Sequence, residues 1–223
     1  QQELMAVRMV PFGSLADRLY RIVRQTSKEL NKRANLEIKG GQVELDRSVL
    51  DKMAAPLEHM LRNAIAHGLE RRDERVARGK PEIGDVSLSL TQEGNEIILL
   101  LSDDGAGLDY ERIRARAIAA GLLAADQDAG HEEPADLIFT PGFSTAEEVS
   151  QIAGRGVGMD VVRTNIEKIG GSIEMKLSTE VRELRDMVES SQGMLHQQEL
   201  LATMQLKSFQ KIGLVRYDAF DET

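Results

Sequence analysis

The chain has 223 residues, 41% of them hydrophobic and 29% charged, with a net charge of −9 at pH 7 and no cysteine. The size is sufficient for one sizeable core; the acidic balance disfavours nucleic acid as a partner, and the absence of cysteine excludes disulfides, zinc–thiolate sites and cysteine nucleophiles. No stretch reaches the ~20 apolar residues that cross a bilayer, and no secretion signal is present, so we expect a cytoplasmic protein without a membrane span.

The first third of the chain predicts a helix, a strand and a second helix. Apolar residues after Ser14 recur at the spacing of one helical face, with Ser14 as the expected N-cap. NLEIKG (35–40) is typical of a short strand, and Asp46 can cap a second helix that ends at Gly68. Pro56 inside this helix removes one backbone donor and predicts a kink.

The middle of the chain predicts a hairpin followed by a helix and a long loop. DVSLSLTQ (85–92) and EIILLLS (96–102) flank an EGN turn. DYERIRARAIAAGL (109–122) is helical in pattern, and the irregular stretch 124–151 is typical of a mobile lid or a binding loop. The basic stretch ERRDERVARGK (70–80), with its interleaved acids, predicts a solvated loop or helix face.

The last third begins with a glycine-rich loop that leads into a helix, GRGVGMDVVRTNIEKIGG (154–171), followed by a strand at SIEM (172–175). Its character changes after Met175. Apolar residues across 177–195 recur at alternating steps of four and three, which predicts a short coiled-coil-like helix. The final residues, 211–223, could form a strand and a turn.

A row of polar residues marks the second helix. His59, Asn63 and His67 are spaced four apart and therefore share one face, with Arg62 on the neighbouring face. A single zinc ion, with ligands at about 2 Å, cannot join His59 to His67, which lie about 12 Å apart along a helix axis. The row either lines a pocket or is a structural feature.

Two glycine-rich segments are further candidates. DDGAG (103–107) is consistent with a metal site, a tight turn or a nucleotide pocket, because glycine lets backbone approach a ligand closely. Gly154, Gly156 and Gly158 precede a helix, an arrangement that receives phosphate at free backbone N–H groups. Their spacing matches neither a dinucleotide-binding fingerprint nor a P-loop.

Taken in order, these segments resemble the GHKL ATP-binding fold and, within it, the CheA-type chemotaxis histidine kinases. LEHMLRNAIAHGLE (57–70) resembles the N box, LSDDGAGLD (101–109) the G1 box, IFTPGFST (138–145) the F box and GRGVGMDVV (154–162) the G2 box. RMVPF (8–12) is similar to the junction that follows the dimerisation helices. Similar sequences also serve pilus-driven motility, and the resemblance does not separate the two systems.

The resemblance covers about residues 5–175 and implies an α+β fold. The expected architecture is a two-layer α/β sandwich whose mixed sheet is covered by helices on one face. It also implies ATP and Mg²⁺ as cofactors and a histidine protein kinase as the activity.

The resemblance also assigns roles to individual residues. Asn63 would ligate Mg²⁺, and His59 would orient or deprotonate the attacking group at a position where many GHKL ATPases carry glutamate. Arg62 and His67 would contact phosphates. Asp103 would hold the adenine amine beside two glycines that open the pocket floor, Gly105 and Gly107. The resemblance gives Asp104 no role, and its position after Asp103 predicts only that it caps the turn. A lid at about 124–158 would contribute Phe143, Ser144, Thr145, Gly154, Arg155, Gly156, Val157, Gly158 and Met159.

The resemblance divides the chain into an end of a dimerisation helix (1–9), a catalytic domain (10–175) and a coiled-coil-like tail (176–223). The tail lacks the Gly-Thr turn and final core strand of the family, and LVRYDAFDET (214–223) is short for a substitute. An alternative is therefore a catalytically incomplete nucleotide-binding and dimerisation module that lacks this strand and self-associates through 177–195.

The expected partners follow from the kinase interpretation. The chain would phosphorylate a histidine on a separate phosphotransfer domain that serves response regulators, and would reach receptors and coupling proteins through domains that it lacks. His131 and His196 are expected to be surface histidines rather than phosphate acceptors. A chaperone- or gyrase-like ATPase is disfavoured, because those proteins carry glutamate where this chain has His59.

Overall fold

The computed structural model describes residues 8–94, 96–107, 109–124, 137–141, 143, 158–176 and 210–218. The strands in this part of the chain are β1 (Met9–Pro11), β2 (Ala34–Lys39), β3 (Glu44–Asp46), β4 (Gly84–Glu93), β5 (Glu96–Asp103), β6 (Gly171–Lys176) and β7 (Gln210–Asp218). The α-helices are α1 (Ala16–Glu29), α2 (Arg47–Asn63), α3 (Arg72–Ala77), α4 (Tyr110–Ala119) and α5 (Met159–Glu167). A 3-10 turn at Phe12–Leu15 precedes α1, and a π-helical turn at Ala64–Gly68 extends α2.

The main sheet has five strands in the order β2-β4-β5-β7-β6. β2 pairs with β4 in parallel, whereas β4–β5, β5–β7 and β7–β6 are antiparallel pairs. A separate two-stranded ribbon joins β1 to β3. The predicted mixed sheet is therefore confirmed.

The predicted hairpin is also confirmed and forms the centre of the sheet. Alternate residues of β4 and β5 are buried, and Leu88 of β4 lies opposite Leu101 of β5. The connecting turn contains Gly94 at φ 61°, a left-handed conformation that glycine adopts without steric cost. This period-two burial places one face of both strands on the core.

Three helices supply the second layer. Their apolar stripes pack with the buried face of the sheet in one core, to which α1 contributes Leu19 and Val23, α2 contributes Met53, Leu57 and Leu61, and α5 contributes Val162 and Ile166. α2 packs between α1 and α5. The two-layer α/β sandwich expected from the sequence is thus the observed architecture. Among the described helices, none has the length and apolar character that spanning a bilayer requires.

The start of α1 differs from the prediction. Ser14 lies inside the 3-10 turn, and the helix begins at Ala16. The N-cap residue is Leu15, whose side chain makes no capping hydrogen bond. Phe12 and Leu15 are both buried in the core, and seating them takes the chain through this tighter turn before the helix. Pro56 lies buried inside α2 as expected, and its kink stays a prediction.

The tail provides the strand that the sequence was expected to lack. β7 is inserted between β5 and β6, so that Val215 lies opposite Leu99 on one side and Ile173 on the other. The expectation that the chain lacks its final core strand is therefore wrong. Without β7, β5 and β6 would each have an edge of unpaired backbone N–H and C=O groups. Such edges favour pairing with a further strand, however distant that strand is in the sequence. The predicted coiled-coil segment at 177–195 lies outside the described residues.

The placement of β7 predicts a strong effect of proline at Val215. Proline in a strand with neighbours on both sides removes a ladder hydrogen bond and strains the backbone, so Val215→Pro should lower the free energy of unfolding by about 3 kcal/mol or more. Val215→Thr keeps the backbone donor and the branched side chain and is the matched control. Urea unfolding measures both, and equal midpoints for the two variants would contradict the central position of β7.

Candidate functional site

The polar row predicted from the sequence lies on the side of α2 that is turned away from the core. Asp46 caps this helix, accepting a hydrogen bond of 2.7 Å from the backbone N–H of Ser48, as predicted. Leu57, Met60 and Leu61 are fully buried, while the polar side chains between them, His59, Arg62 and Asn63, are half-buried. The core therefore fixes the rotation of the helix and with it the face that carries these groups.

The end of α2 widens into the π-helical turn Ala64–Gly68, which carries His67. Such a turn leaves carbonyl groups without the usual helical donors. Here the ammonium of Lys32 donates to the carbonyl oxygens of Ile65 at 2.9 Å, Ala66 at 2.7 Å and Leu69 at 2.7 Å. One side chain thus fixes the whole turn. The sequence analysis did not single out Lys32, which the fold brings in from the loop between α1 and β2.

Asp103 is the most unusual residue of the site. It ends β5, is fully buried, and uses Oδ1 to accept the N–H of Gly105 at 2.9 Å. Its other carboxylate oxygen, Oδ2, is buried and has no hydrogen-bond partner among the described residues. Burial raises the pKa of this carboxyl from 3.8 to about 7, and the nearby charges of Asp104 and Glu70 act in the same direction.

The loop that follows Asp103 lies directly against the end of the π-helical turn. Ala106 donates its N–H to the carbonyl oxygen of Gly68 at 2.9 Å. A Cβ on Gly68 would lie 2.8 Å from Asp103 Oδ2, and one on Gly105 would lie 2.1 Å from the Gly68 carbonyl oxygen. The structure thus gives Gly105 a role in the contact between two protein segments, whereas the resemblance assigned it to the pocket floor. Gly107 has φ 97°, which favours glycine for a conformational reason.

A third segment joins the site through α5. The amide nitrogen of Asn63 lies 3.1 Å from the sulfur of Met159, the first residue of this helix. Asn63 Oδ1 has no hydrogen-bond partner within the described ranges. Gly158 is the N-cap of α5, and a Cβ there would lie 2.5 Å from Asp160 Oδ1 and 3.8 Å from the backbone oxygen of Phe143. The predicted N, F and G2 boxes are therefore neighbours in space.

The two histidines of the row are kept in the neutral form. Burial lowers the pKa of His59, and the charge of Arg62 adds to this effect, while Asp160 on α5 opposes it. The pKa of His67 is also lowered, first by desolvation and then by the nearby cations Lys32 and Arg112. A neutral imidazole can accept a proton or a hydrogen bond. Among the described residues there is no group of three or more side chains suited to holding a metal by themselves.

A buried ionic cluster contacts the loop that follows Asp103. It consists of Glu70, Arg75, Lys80 and Asp104. Arg75 is fully buried, and its Nη1 lies 3.1 Å from Glu70 and its Nη2 2.7 Å from Asp104. The expected solvated surface for 70–80 is therefore wrong for Glu70 and Arg75, because each buried charge has an opposite charge in contact. Asp104, expected only to cap a turn, bridges Arg75 and the backbone N–H of Asp85.

The structure shows an apolar contact for Phe143, which the resemblance assigned to the lid. Phe143 is buried in a small apolar cluster with Ile113, Ala117 and Leu123 near α4. The Arg163 guanidinium lies 4.1 Å from the ring centroid of Phe139, which belongs to the main core. The remaining lid residues named above lie outside the described residues: Ser144, Thr145, Gly154, Arg155, Gly156 and Val157.

Several supporting residues had only indirect signals in the sequence. The adjacent acids Asp103 and Asp104 after a buried strand require a counter-charge, and the basic segment 70–80 is one candidate source of it. That reasoning could have found Arg75 and Lys80. No comparable signal indicated Lys32, since its three acceptors are backbone atoms.

Comparison with protein families agrees with this geometry. Residues 53–194 match the family described as histidine kinase-, DNA gyrase B- and HSP90-like ATPase. The chemotaxis protein CheA of Klebsiella aerogenes is 44% identical over 175 residues, which are 78% of this chain and 27% of that protein. The sensor histidine kinase CheAY of Helicobacter pylori is 46% identical over 178 residues, 78% of this chain and 22% of that protein. The chain thus spans about a quarter of the length of these relatives.

Solved structures share the fold at much lower sequence identity. The nucleotide-free catalytic domain of the histidine kinase ThkA is 11% identical, with a TM-score of 0.51 and coverage of 95% of this chain and 94% of that chain. A second form of the same domain gives a TM-score of 0.52. The similarity shows the fold alone.

The raised pKa of Asp103 predicts a pH-dependent stability. The folded chain holds this proton up to about pH 7, whereas an unfolded aspartate releases it near 3.8. The free energy of unfolding therefore falls as the pH rises between these values. At about pH 8, Asp103→Asn should have a free energy of unfolding about 1–3 kcal/mol higher than that of the parent, and a higher denaturant midpoint. The advantage should shrink at about pH 4.5. Asp51→Asn, on the exposed side of α2, is the control, and a parallel pH dependence of parent and Asp103→Asn would refute the assignment.

Proposed function

This chain belongs to the histidine kinase-, DNA gyrase B- and HSP90-like ATPase family, and we propose that it is the ATP-binding catalytic domain of a CheA-like histidine protein kinase. It transfers the γ-phosphoryl group of ATP to a histidine on a separate phosphotransfer domain, in two-component chemosensory signalling. The proposal includes a cytoplasmic location, response regulators as downstream partners, and receptor and coupling proteins reached through other domains. It rests on the site, because the chain spans only about a quarter of its full-length relatives.

The single observation that carries the proposal is the buried Oδ2 of Asp103. A desolvated carboxylate oxygen without a partner among the described residues is an acceptor that a ligand donor can satisfy. The exocyclic amine of adenine is such a donor, and Gly68 packs so closely against the carboxylate that a Cβ there would lie 2.8 Å from Oδ2, so no side chain of this residue competes for the oxygen. The residues present therefore fit an adenine at this place.

The phosphate end of the nucleotide would lie toward α2 and α5. Asn63 Oδ1 is an oxygen ligand of the kind that Mg²⁺ prefers, and the cation would neutralise triphosphate charge. Gly158 begins a nine-residue helix whose free N–H groups favour anions. The residues proposed to wrap the phosphates, Gly154 to Val157, precede this helix directly in the sequence.

His59 and Arg62 would act on the transferred group. In the proposed reaction a substrate imidazole nitrogen forms a bond to the γ-phosphorus as the bond to the β,γ-bridging oxygen breaks, and ADP leaves. The lowered pKa of His59 keeps its ring neutral, so it can accept a hydrogen bond or proton from the attacking imidazole. The guanidinium of Arg62 would stabilise charge on the equatorial oxygens. Lid closure would exclude water from this step.

Self-association through residues 177–195 stays a prediction, since this segment lies outside the described residues. The sheet contains β7, so a missing strand no longer suggests that the nucleotide pocket is incomplete. Sedimentation of the chain at several concentrations measures the predicted association directly.

The adenine assignment predicts that Asp103→Ala loses nucleotide binding. A hydrogen bond to a charged group corresponds to about a 10–100-fold change in affinity, so calorimetric titration should show micromolar-to-millimolar binding of Mg-ATP by the parent and a Kd at least about tenfold higher for the variant. Asp51→Ala, at an exposed position of α2, should bind as the parent does. Unchanged affinity of Asp103→Ala would sink the adenine assignment.

The role of His59 predicts a separation between binding and phosphoryl transfer. His59→Gln should reduce radiolabel transfer from ATP to a separately supplied histidine phosphotransfer domain by about 10²–10⁴-fold, the usual contribution of a positioned base. The Kd for Mg-ATP should stay within about threefold of the parent, because His59 is not proposed to hold the nucleotide. Transfer at the parent rate would remove His59 from the mechanism.

A further inference from the structure

The buried ionic cluster contacts the loop that follows Asp103. Arg75 makes the deepest part of this cluster: its Nε donates to the Pro81 carbonyl oxygen at 2.8 Å, while its two terminal nitrogens contact Glu70 and both carboxylate oxygens of Asp104. A planar guanidinium with this many fixed acceptors holds Asp104 in one orientation. Asp104 is thereby a rigid neighbour of Asp103.

Lys80 extends the cluster to the backbone of the same loop. Its ammonium lies 2.8 Å from Glu70 Oε1, 2.9 Å from the carbonyl oxygen of Asp104 and 2.8 Å from the carbonyl oxygen of Gly105. These three acceptors match the three donors of an ammonium group. Two of them are the peptide oxygens that directly follow Asp103, so Lys80 fixes the orientation of the peptide planes beside the carboxylate.

Two other segments therefore hold the loop through hydrogen bonds. Gly68 accepts the N–H of Ala106, and Lys80 donates to the carbonyls of Asp104 and Gly105. The Gly105 N–H, which fixes Asp103 Oδ1, belongs to the peptide whose carbonyl is the Asp104 oxygen bound by Lys80. A rotation of that peptide would remove both hydrogen bonds together and turn the carboxylate.

We propose that Lys80 is a positioning residue for adenine recognition: by fixing the Asp104–Gly105 peptide it aims the Asp103 carboxylate at the exocyclic amine. The inference rests on the proposed function of the site and concerns nucleotide specificity. Lys80 touches no substrate, and its effect passes through Asp103. It acts on the base and not on the triphosphate, because the contacts of its ammonium among the described residues are Glu70 and the two loop carbonyls.

The test compares Mg-ATP with Mg-ITP, whose base has a carbonyl in place of the exocyclic amine. Titration calorimetry on the 223-residue chain should show that the parent prefers ATP by at least about tenfold, since a site that pairs with a substrate N–H rejects the analogue that lacks it. Lys80→Met should bind ATP about tenfold more weakly and ITP as the parent does, so the ATP/ITP preference disappears. Lys80→Arg should regain part of it.

Arg72→Met is the matched control, because Arg72 is an exposed cation of the same segment that pairs with Glu82. It should leave both affinities unchanged. Equal weakening of ATP and ITP by Lys80→Met, or a retained preference, would overturn the positioning role. If Lys80→Met fails to fold, the ATP/ITP affinity ratio is measured instead for Lys80→Gln, which still donates to a carbonyl. Failure of both to fold would equally overturn it, because the residue would then serve stability. A parent without preference for ATP would instead contradict the proposed adenine site.

Discussion

The burial of one carboxylate, that of Asp103, imposes the strictest constraint on this molecule. A buried carboxylate with one oxygen that has no partner in the described part of the chain costs free energy, and the rise of its pKa to about 7 expresses that cost. Glycine at 68 and 105 allows the two segments to approach within contact distance of the carboxylate. An unfavourable interaction in the free protein thereby becomes a place for a complementary donor.

The charged residues around this point serve geometry more than stability. A buried ion pair contributes little net free energy, since the cost of desolvation offsets most of the attraction. The ionic cluster contains two cations and two carboxylates, so it adds no net charge beside Asp103. The cluster instead orients the groups around Asp103: Arg75 fixes the side chain of Asp104, and Lys80 fixes the peptides that follow. Lys32 does the same for the π-helical turn at the end of α2.

The site is built from segments that are distant along the chain. α2 and the π-helical turn carry His59, Asn63 and His67, and the end of β5 carries Asp103. α5 contacts Asn63 through Met159, 96 residues further on. The apolar core positions all of them, because α2 packs between α1 and α5 on one face of the sheet. β7 completes that sheet and pairs with β5, the strand that ends at Asp103.

Local pattern was sufficient to predict the hairpin of β4 and β5, the cap at Asp46 and the helix that begins after Gly158, because periodicity and capping depend on neighbours in the chain. The spacing of His59, Asn63 and His67 likewise predicts that they share one side of a helix, and the structure adds the π-helical turn that carries His67. Contacts between distant residues were decided by the folded molecule alone. It buried Arg75 beside Asp104, turned Gly105 toward Gly68, and inserted β7 where a strand was expected to be missing. Each of these outcomes depends on a partner or an open strand edge at long sequence separation, and no local periodicity encodes such a partner.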